Sequence, residues 1–263
     1  MLLLIDLDGT TYTSEGAIEG AAAALAQLRA EGHMLRFLTN TDSRSTASML
    51  ALVRARGAEV ARDELFTSLT AAEELLAAEG PLVDGGVRVF AVTNDEVAAQ
   101  LGERFSLGGG SGVTHVVVGD VRASLSYDLL DEAFRALRGG ARLIALQKGR
   151  FFLDGGEAHL DTGAFVAGLE FGAGVEATVV GKPSVAFLEL AVRSTGEVFA
   201  RGDIWVVGDD VTTDVRMGRD AGARTVLVRT GKYRLQRDRP GTPDHVIDSL
   251  AVLPALLRGA KRG

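Results

Sequence analysis

The sequence predicts a protein of the α/β class, with a doubly wound parallel-sheet core and an inserted α/β lobe. Short apolar runs with the length of buried strands alternate with longer helix-forming segments, many of which end at glycine. Because two strands joined through a helix lie parallel, this alternation favours an open parallel sheet covered by helices. The same alternation starts afresh in the middle of the chain, which indicates the insertion.

The elements before the insertion follow in order. Leu2–Asp6 begins as an uninterrupted apolar run and is predicted to be a buried strand. The Ala- and Leu-rich segment 18–31 is predicted to be a helix that Gly32 terminates, and Met34–Thr39 a second buried strand. Two more helices are predicted, one over residues 43–56 that ends at Gly57 and one opened by a capping-box match at Thr70 and Glu73.

The rest of the chain continues the pattern in two blocks. The inserted block has predicted strands at 87–92, His115–Val118 and 142–146, helices at 95–104 and Tyr127–Arg138, and a flexible loop, GGGSG, at 108–112. The returning block has predicted strands at 177–180, 204–207, Arg224–Val228 and His245–Ile247, helices at 184–193 and 211–221, and a closing helix from Ser249. The predicted domains are therefore a core of residues 1–79 and 177–263 and an α/β cap domain of residues 80–176.

Composition limits the class of protein. The chain has 263 residues and no cysteine, which excludes disulfides and zinc–thiolate sites. A net charge of −7 and a pI near 5.2 argue against nucleic acid as a partner. The first apolar run is far shorter than a membrane span, and no basic segment precedes it, so we expect no membrane association, no signal peptide and a cytoplasmic location.

Polar side chains follow four of the predicted core strands, at the point where each strand ends. They are Asp6 and Asp8 after the first strand, Thr39 and Asn40 after the second, Lys182 after the third, and Asp209, Asp210 and Asp214 after the fourth. Because ligands of open α/β sheets bind at the carboxyl ends of the strands, we expect these side chains to form one site.

Phosphoryl transfer would give each of these residue types a role. Asp6 can attack a phosphorus atom and form an aspartyl phosphate, and Asp8 can exchange a proton with the leaving group and then with water. Thr39 and Asn40 can donate hydrogen bonds to phosphoryl oxygens, and Lys182 supplies a positive charge.

The same carboxylates predict a metal site. If Asp6 and Asp8 both ionise about 4 Å apart, they repel each other by about 4 kcal/mol at an effective dielectric constant of about 20. Asp209 would complete an oxygen-only site with these two residues, and such a site selects Mg²⁺ over zinc. Asp214 is a candidate for holding a metal-bound water, although it could equally favour the first turn of the following helix.

Four motifs, DLDGT, TNT, GKPS and GDDVTTD, in that order, resemble the signature motifs of the haloacid dehalogenase superfamily of phosphotransferases. The insertion between the second and third motifs resembles the α/β cap of the NagD-type phosphatases, which implies a Rossmann-like core. The strings LDTGAFVAGLE at 160–170, VVGKPS at 179–184 and VLVRTGKYR at 226–234 are similar to those of phospholysine phosphohistidine inorganic pyrophosphate phosphatases and their close relatives.

The resemblance implies a role for each matched residue. Asp6 would be the nucleophile, and Asp8 the acid and base as well as a metal ligand through its backbone carbonyl. Thr39 and Asn40 would bind phosphate, Lys182 would stabilise charge, and Asp209 would be the metal carboxylate. Thr41 stands where NagD-type members often have a second Asn. How Asp209, Asp210 and Asp214 divide their duties, with the last two expected behind the metal ligands, is left open.

The sequence thus predicts a Mg²⁺-dependent phosphatase that acts on small phosphorylated compounds through an aspartyl phosphate. The substrates suggested by the resemblance are P–N compounds, such as phospholysine or phosphohistidine, and pyrophosphate. The alternatives are a phosphatase for ordinary phosphoesters, such as sugar or nucleotide phosphates, and a phosphate-binding or phospho-signalling module without rapid turnover. Exposed apolar surface on the cap would support a homodimer.

Overall fold

The computed structural model describes residues 1–79, 86–154, 157–235 and 242–260, and it is an α/β structure, as predicted. Its strands are β1 (Leu2–Asp6), β2 (Tyr12–Thr13), β3 (Gly16–Ala17), β4 (Met34–Thr39), β5 (Leu65–Thr67), β6 (Arg88–Val92), β7 (Ser106–Leu107), β8 (His115–Val118), β9 (Arg142–Ala145), β10 (Phe151–Asp154), β11 (Glu157–Leu160), β12 (Thr178–Val179), β13 (Ile204–Gly208), β14 (Arg224–Val228) and β15 (His245–Ile247). Its helices are α1 (Ala21–Ala30), α2 (Thr46–Ala55), α3 (Ser68–Ala78), α4 (Asp95–Gly102), α5 (Tyr127–Arg138), α6 (Thr162–Ala173), α7 (Val185–Arg193), α8 (Arg216–Asp220) and α9 (Leu253–Ala260).

The chain forms two compact units. The core unit comprises Met1–Thr39, Thr46–Phe66 and Lys182–Gly263, and the insert unit comprises Asn40–Ser45 and Thr67–Gly181. The predicted division at residue 80 differs from the division in the structure, and residues 80–85 lie outside the described part of the chain. Helix α3 belongs to the insert unit because its Glu73 accepts hydrogen bonds from Gln100 on α4.

A six-stranded sheet forms the centre of the core unit, in the order β15-β14-β13-β1-β4-β5. The pairings from β15 through β4 are parallel. Asp6 pairs with Leu38, and Ile5 pairs with Val207. Residues that follow β1, β4 and β13 therefore leave the sheet at the same edge, which is where the predicted site residues lie.

Apolar side chains cover both faces of this sheet. Because side chains alternate along a strand, Trp205 and Val207 join the buried cluster built with α1, α2 and α9, whereas Val206 points to the opposite face. On that opposite face Gly218 of α8 lies so close that a Cβ there would come within 3.1 Å of Val206 Cβ. The core sheet is thus doubly wound, as the sequence predicts.

The insert unit has its own parallel sheet, in the order β12-β9-β8-β6-β7, and an antiparallel hairpin of β10 and β11. Helices α5 and α6 supply Ala133, Leu137, Val166 and Leu169 to its apolar core. The homodimer stays a prediction. The described part of this unit has several exposed apolar side chains, among them Tyr127 and Phe171.

A buried carboxyl ties residues 40–45 to the insert unit. Asp42 Oδ2 accepts hydrogen bonds from Thr162 Oγ1 at 2.6 Å and from Gln147 Nε2 at 3.2 Å. Gln147 also donates to Asp161, which caps the start of α6 by accepting from the backbone of Thr162. Burial raises the pKa of Asp42 to about 6 against the lowering effect of the Thr162 hydrogen bond.

Two local predictions are wrong in detail. The cap of α3 is Thr67 and not Thr70, because Thr67 Oγ1 accepts from the backbone N–H of Thr70. The predicted helix at 211–221 starts as a π-helical turn, Val211–Val215, before α8. Within the described ranges, no helix has the length and apolar content that a membrane crossing requires.

Candidate active site

The loop after β1 turns sharply at a glycine. Gly9 has a φ of +87°, a conformation that disfavours side chains, and an added Cβ would lie 2.0 Å from Asp209 Oδ2. The turn is closed by backbone hydrogen bonds from Thr10 and Thr11 to the carbonyl of Leu7. Glycine at this position therefore lets the loop approach the carboxylate that follows β13.

Asp6, Lys182 and Asp214 form a buried chain of charges. Lys182 Nζ donates to Asp6 Oδ1, and it donates to Asp214 Oδ1 at 2.8 Å. The other oxygen of Asp6 accepts from Thr10 Oγ1 at 3.2 Å. The structure thus brings the predicted nucleophile and the predicted lysine into direct contact, with both oxygens of the nucleophile held in place.

Electrostatics keeps this lysine charged. Burial lowers the pKa of Lys182, but Asp214 and Asp6 together outweigh it, so the pKa is raised above its ordinary value. Burial also raises the pKa of Asp214, to about 6, even though Lys182 acts against it. A charged ammonium is therefore fixed between two carboxylates at the end of β1.

Three carboxylates are close enough to share a cation. Asp6, Asp209 and Asp214 are buried and each offers an oxygen within 4.8 Å of the others. Burial raises the pKa of Asp209 to about 8, with further contributions from Asp6 and Asp214. An all-oxygen set with excess negative charge fits a hard divalent ion such as Mg²⁺.

Asp8 stands apart from this cluster. Its side chain is exposed, and its backbone makes a bridge with Tyr12. Although the residue reaches solvent, neighbouring groups partly shield its carboxyl from water, and this desolvation together with the charge of Asp6 raises the pKa of Asp8, while Lys232 and Arg56 lower it. A raised pKa near a reacting group suits a carboxyl that must give up and take back a proton. Its predicted metal contact is through the backbone carbonyl and stays a prediction.

Asp210 holds the turn that follows β13. Its Oδ1 accepts from both the backbone N–H and the hydroxyl of Thr212 at 2.7 Å, and its backbone N–H donates to Asp214 Oδ2 at 3.3 Å. These contacts fix the backbone between Asp209 and Asp214. They support the expectation that Asp210 acts behind the metal ligands.

The segment Thr230–Lys232 is a site feature that the four motifs do not include. The backbone N–H of Lys232 donates to Asp209 Oδ2 at 2.6 Å, and Thr230 Oγ1 donates to the carbonyl of Gly9 at 2.5 Å. The string VLVRTGKYR contains these residues and resembles the relatives, but it predicts no role for them.

The predicted phosphate binders lie on either side of a unit boundary. Thr39 is the buried last residue of β4 in the core unit, and it directly follows the partner of Asp6 in the sheet. Asn40 and Thr41 begin the insert unit's segment 40–45. Within that unit, a Cβ on Gly181 would come within 2.9 Å of Asn40 Oδ1, so glycine leaves room for the amide.

Comparisons with known proteins agree with this architecture. A family profile described as haloacid dehalogenase-like hydrolase matches residues 3–104, and one described as HAD-hydrolase-like matches residues 179–253. Haloacid dehalogenase-like hydrolase domain-containing protein 2 from Bos taurus is 37% identical, over 88% of this chain and 85% of its own length. Phospholysine phosphohistidine inorganic pyrophosphate phosphatase from Homo sapiens is 31% identical, over 88% of this chain and 84% of its own length.

Solved structures show the same fold. The p-nitrophenyl phosphatase from Archaeoglobus fulgidus aligns with a TM-score of 0.86 and 28% identity, over 97% of this chain and 98% of that one. NagD from E. coli is also similar, which confirms the resemblance to NagD-type phosphatases.

Proposed function

Because the chain belongs to the haloacid dehalogenase-like hydrolase family and is a phosphatase of that family, we propose that it is Mg²⁺-dependent and hydrolyses small phosphorylated compounds through a phosphorylated Asp6. The observation that carries this proposal is the contact of Asp6 with Lys182 beside the cluster of Asp209 and Asp214. Because these contacts fix the orientation of the Asp6 carboxylate, its oxygen is positioned for in-line attack on a bound phosphoryl group.

The reaction has two steps. In the first, an oxygen of Asp6 bonds to phosphorus, the bond from phosphorus to the leaving group breaks, and Asp8 gives that group a proton. In the second, Asp8 takes a proton from water, whose oxygen attacks the phosphorus of phospho-Asp6 and releases phosphate and the Asp6 carboxylate. Using one group as acid and then as base is why its raised pKa is useful.

The charges of the site support a metal ion. Asp6 and Asp209, with the backbone carbonyl of Asp8, would hold Mg²⁺, and Asp214 would lie behind them. When bound, the ion would offset the mutual repulsion of the carboxylates and attract the phosphoryl group. Lys182 would hold Asp6 in place and supply positive charge to the transferring phosphoryl group, as Thr39 and Asn40 donate to its oxygens.

The substrate we propose is a small compound with a P–N bond, such as phospholysine or phosphohistidine, or inorganic pyrophosphate. The name of the human relative supports this range, as do the strings at 160–170 and 226–234. Ordinary phosphoesters, such as sugar or nucleotide phosphates, are the alternative.

Hydrolysis of p-nitrophenyl phosphate tests the mechanism. We expect the native chain to need Mg²⁺ and to lose activity in EDTA, and Asp6→Asn to be slower by about 1,000-fold or more, because an amide is a far weaker nucleophile. Asp128→Asn, the same substitution at an exposed position on α5, is the matched control. The same assay with phosphoramidate, pyrophosphate, sugar phosphates and nucleotides then ranks the substrates.

Three results would contradict the proposal. Full activity in EDTA, or in the Asp6→Asn variant, would refute the mechanism. A single stoichiometric release of p-nitrophenol without turnover would favour a phospho-signalling module. Good turnover of sugar or nucleotide phosphates alone would refute the proposed substrate range.

A further inference from the structure

The segment Thr230–Lys232 contacts both the loop after β1 and the carboxylate that follows β13. Its contacts reach Gly9, next to Asp8, and Asp209. Gly231 packs so tightly that a Cβ there would lie 2.0 Å from Asp209 Oδ2 and 2.6 Å from Gly9 Cα. The backbone of residue 232 therefore has a defined position beside the proposed proton donor and the proposed metal carboxylate.

The two lysines of the site differ in their surroundings. The side chain of Lys182 is only 5% exposed and is bonded to two carboxylates, whereas that of Lys232 is 59% exposed. Lys232 Nζ lies 3.6 Å from Asp210 Oδ2, which is a long and partly solvated ion pair. Burial lowers the pKa of Lys232, but Asp210, Asp209 and Asp6 together outweigh it, so the ammonium stays charged.

Lys232 directly follows the two residues that contact Gly9, the neighbour of Asp8. Because Asp8 would protonate the leaving group, that group would lie near the loop that residues 230 and 231 contact. Lysine presents a compact charge on a flexible stem, which suits an anion whose position varies between substrates.

We propose that Lys232 is a specificity-determining residue that binds negative charge on the leaving group, so that the site prefers inorganic pyrophosphate to phosphoramidates. This inference rests on the proposed phosphatase reaction at Asp6. With pyrophosphate, the bond between the attacked phosphorus and the bridging oxygen breaks, and the second phosphate leaves with a proton from Asp8. That phosphate is anionic, whereas the amine or imidazole released from a P–N compound is neutral or cationic.

The test compares kcat and KM for pyrophosphate, phosphoramidate and p-nitrophenyl phosphate in the presence of Mg²⁺. For Lys232→Met we expect kcat/KM for pyrophosphate to fall by about tenfold or more, mainly through KM, since a charged contact to the bound anion is lost. Phosphoramidate turnover should change by less than about threefold, because its leaving group has no charge for the lysine to bind. Lys232→Arg, which keeps the charge, should restore most of the pyrophosphate activity.

Arg229→Met is the matched control. It removes the same charge three residues earlier, from a side chain that is 52% exposed and pairs with Asp248. We expect it to leave the substrate ratios unchanged.

The outcomes separate the two proposals. Equal losses for all three substrates in Lys232→Met, without rescue by arginine, would assign the lysine a structural role and overturn the inference. Unchanged ratios would overturn it as well, and both results would leave the phosphatase reaction intact. If the native chain hydrolysed none of the three compounds, the proposed function would fail first and this inference with it.

Discussion

The carboxylate of Asp209 lies between two glycines. Gly9 and Gly231 both have positive φ angles, and a Cβ on either would come within 2.0 Å of Asp209 Oδ2. Each glycine therefore does more than allow the backbone turn in which it lies. Both leave the room that one buried carboxylate needs, so their effect should be visible in the reaction as well as in stability.

Replacement of Gly9 tests this idea. In Gly9→Ala the Cβ must displace Asp209, and since misplacement by about 1 Å can cost about 100-fold in rate, we expect kcat/KM for p-nitrophenyl phosphate to fall by that order. Gly32→Ala is the control, because Gly32 has a φ of +78° but no heavy atom within 4 Å of its added Cβ. It should cost about 1–2 kcal/mol of stability and leave the rate unchanged. Similar rates for the two variants would contradict the interpretation.

The elements that carry the site are positioned by hydrogen bonds between residues that lie far apart in the sequence. Residues 40–45 are joined to the first turn of α6 through Asp42 and Thr162, which are 120 residues apart. Because Asn40 lies two residues before Asp42, the same hydrogen bond helps to set the path of the segment that carries this predicted phosphate binder.

The buried carboxyl of Asp42 makes stability depend on pH. Its pKa is about 6 in the folded chain against 3.8 for an ordinary aspartate, so the folded state binds the proton more tightly. This contribution to stability is fully present below about pH 4 and is lost as pH rises through about 6, where the accumulated loss is about 3 kcal/mol.

Asp42→Asn should remove that dependence. The variant's melting temperature relative to the native chain should rise between pH 4.5 and pH 7.5, since the amide stays neutral throughout and can still accept from Thr162. Thermal unfolding followed by circular dichroism measures it, and Asp128→Asn, at an exposed position in the same unit, controls for the lost charge. A difference that stays constant with pH, or that falls, would refute the assignment.

At the scale of the whole molecule, acidity is concentrated where a cation is proposed to bind. The chain has a net charge of −7, and Asp6, Asp209, Asp210 and Asp214 are all buried. A ligand that binds only the folded state stabilises it, by about 2.7 kcal/mol at 100 times its Kd.

Mg²⁺ should therefore raise the melting temperature of the native chain by roughly 5–10 °C at saturation. Asp209→Asn should lose most of this shift, because it removes one of the proposed ligands. Calorimetry with NaCl at matched ionic strength separates specific binding from screening. An equal shift in the variant, or in NaCl, would argue against a site at this cluster.

The sequence predicted the core strands well because buried parallel strands are continuous apolar runs, as in Leu2–Asp6 and Arg224–Val228. It also predicted which residues follow those strands, so the contact of Asp6 with Lys182 could be expected before the structure. It missed the hairpin of β10 and β11, because the strand Glu157–Leu160 is exposed and its polar–apolar alternation spans only four residues.

The features that could not be predicted from the sequence share one physical reason: they depend on contacts that residue type and local pattern do not reveal. Lys232 acts through its backbone N–H as well as its side chain, and backbone contacts leave no signature in residue type. The assignment of Asn40–Ser45 to the insert unit depends on Asp42, and a pairing of residues 42 and 162 cannot be read from either local segment.

The single tryptophan of the chain, Trp205, is buried in β13 and stacks on His245 with the ring planes 8° apart. When it is excited selectively, at a wavelength where tyrosine absorbs little, its fluorescence reports on the core unit alone. Far-ultraviolet ellipticity reports on the helices of both units. If the two units unfold at different denaturant concentrations, the emission and ellipticity curves of the unmodified protein will not coincide, so its cooperativity can be measured without a label.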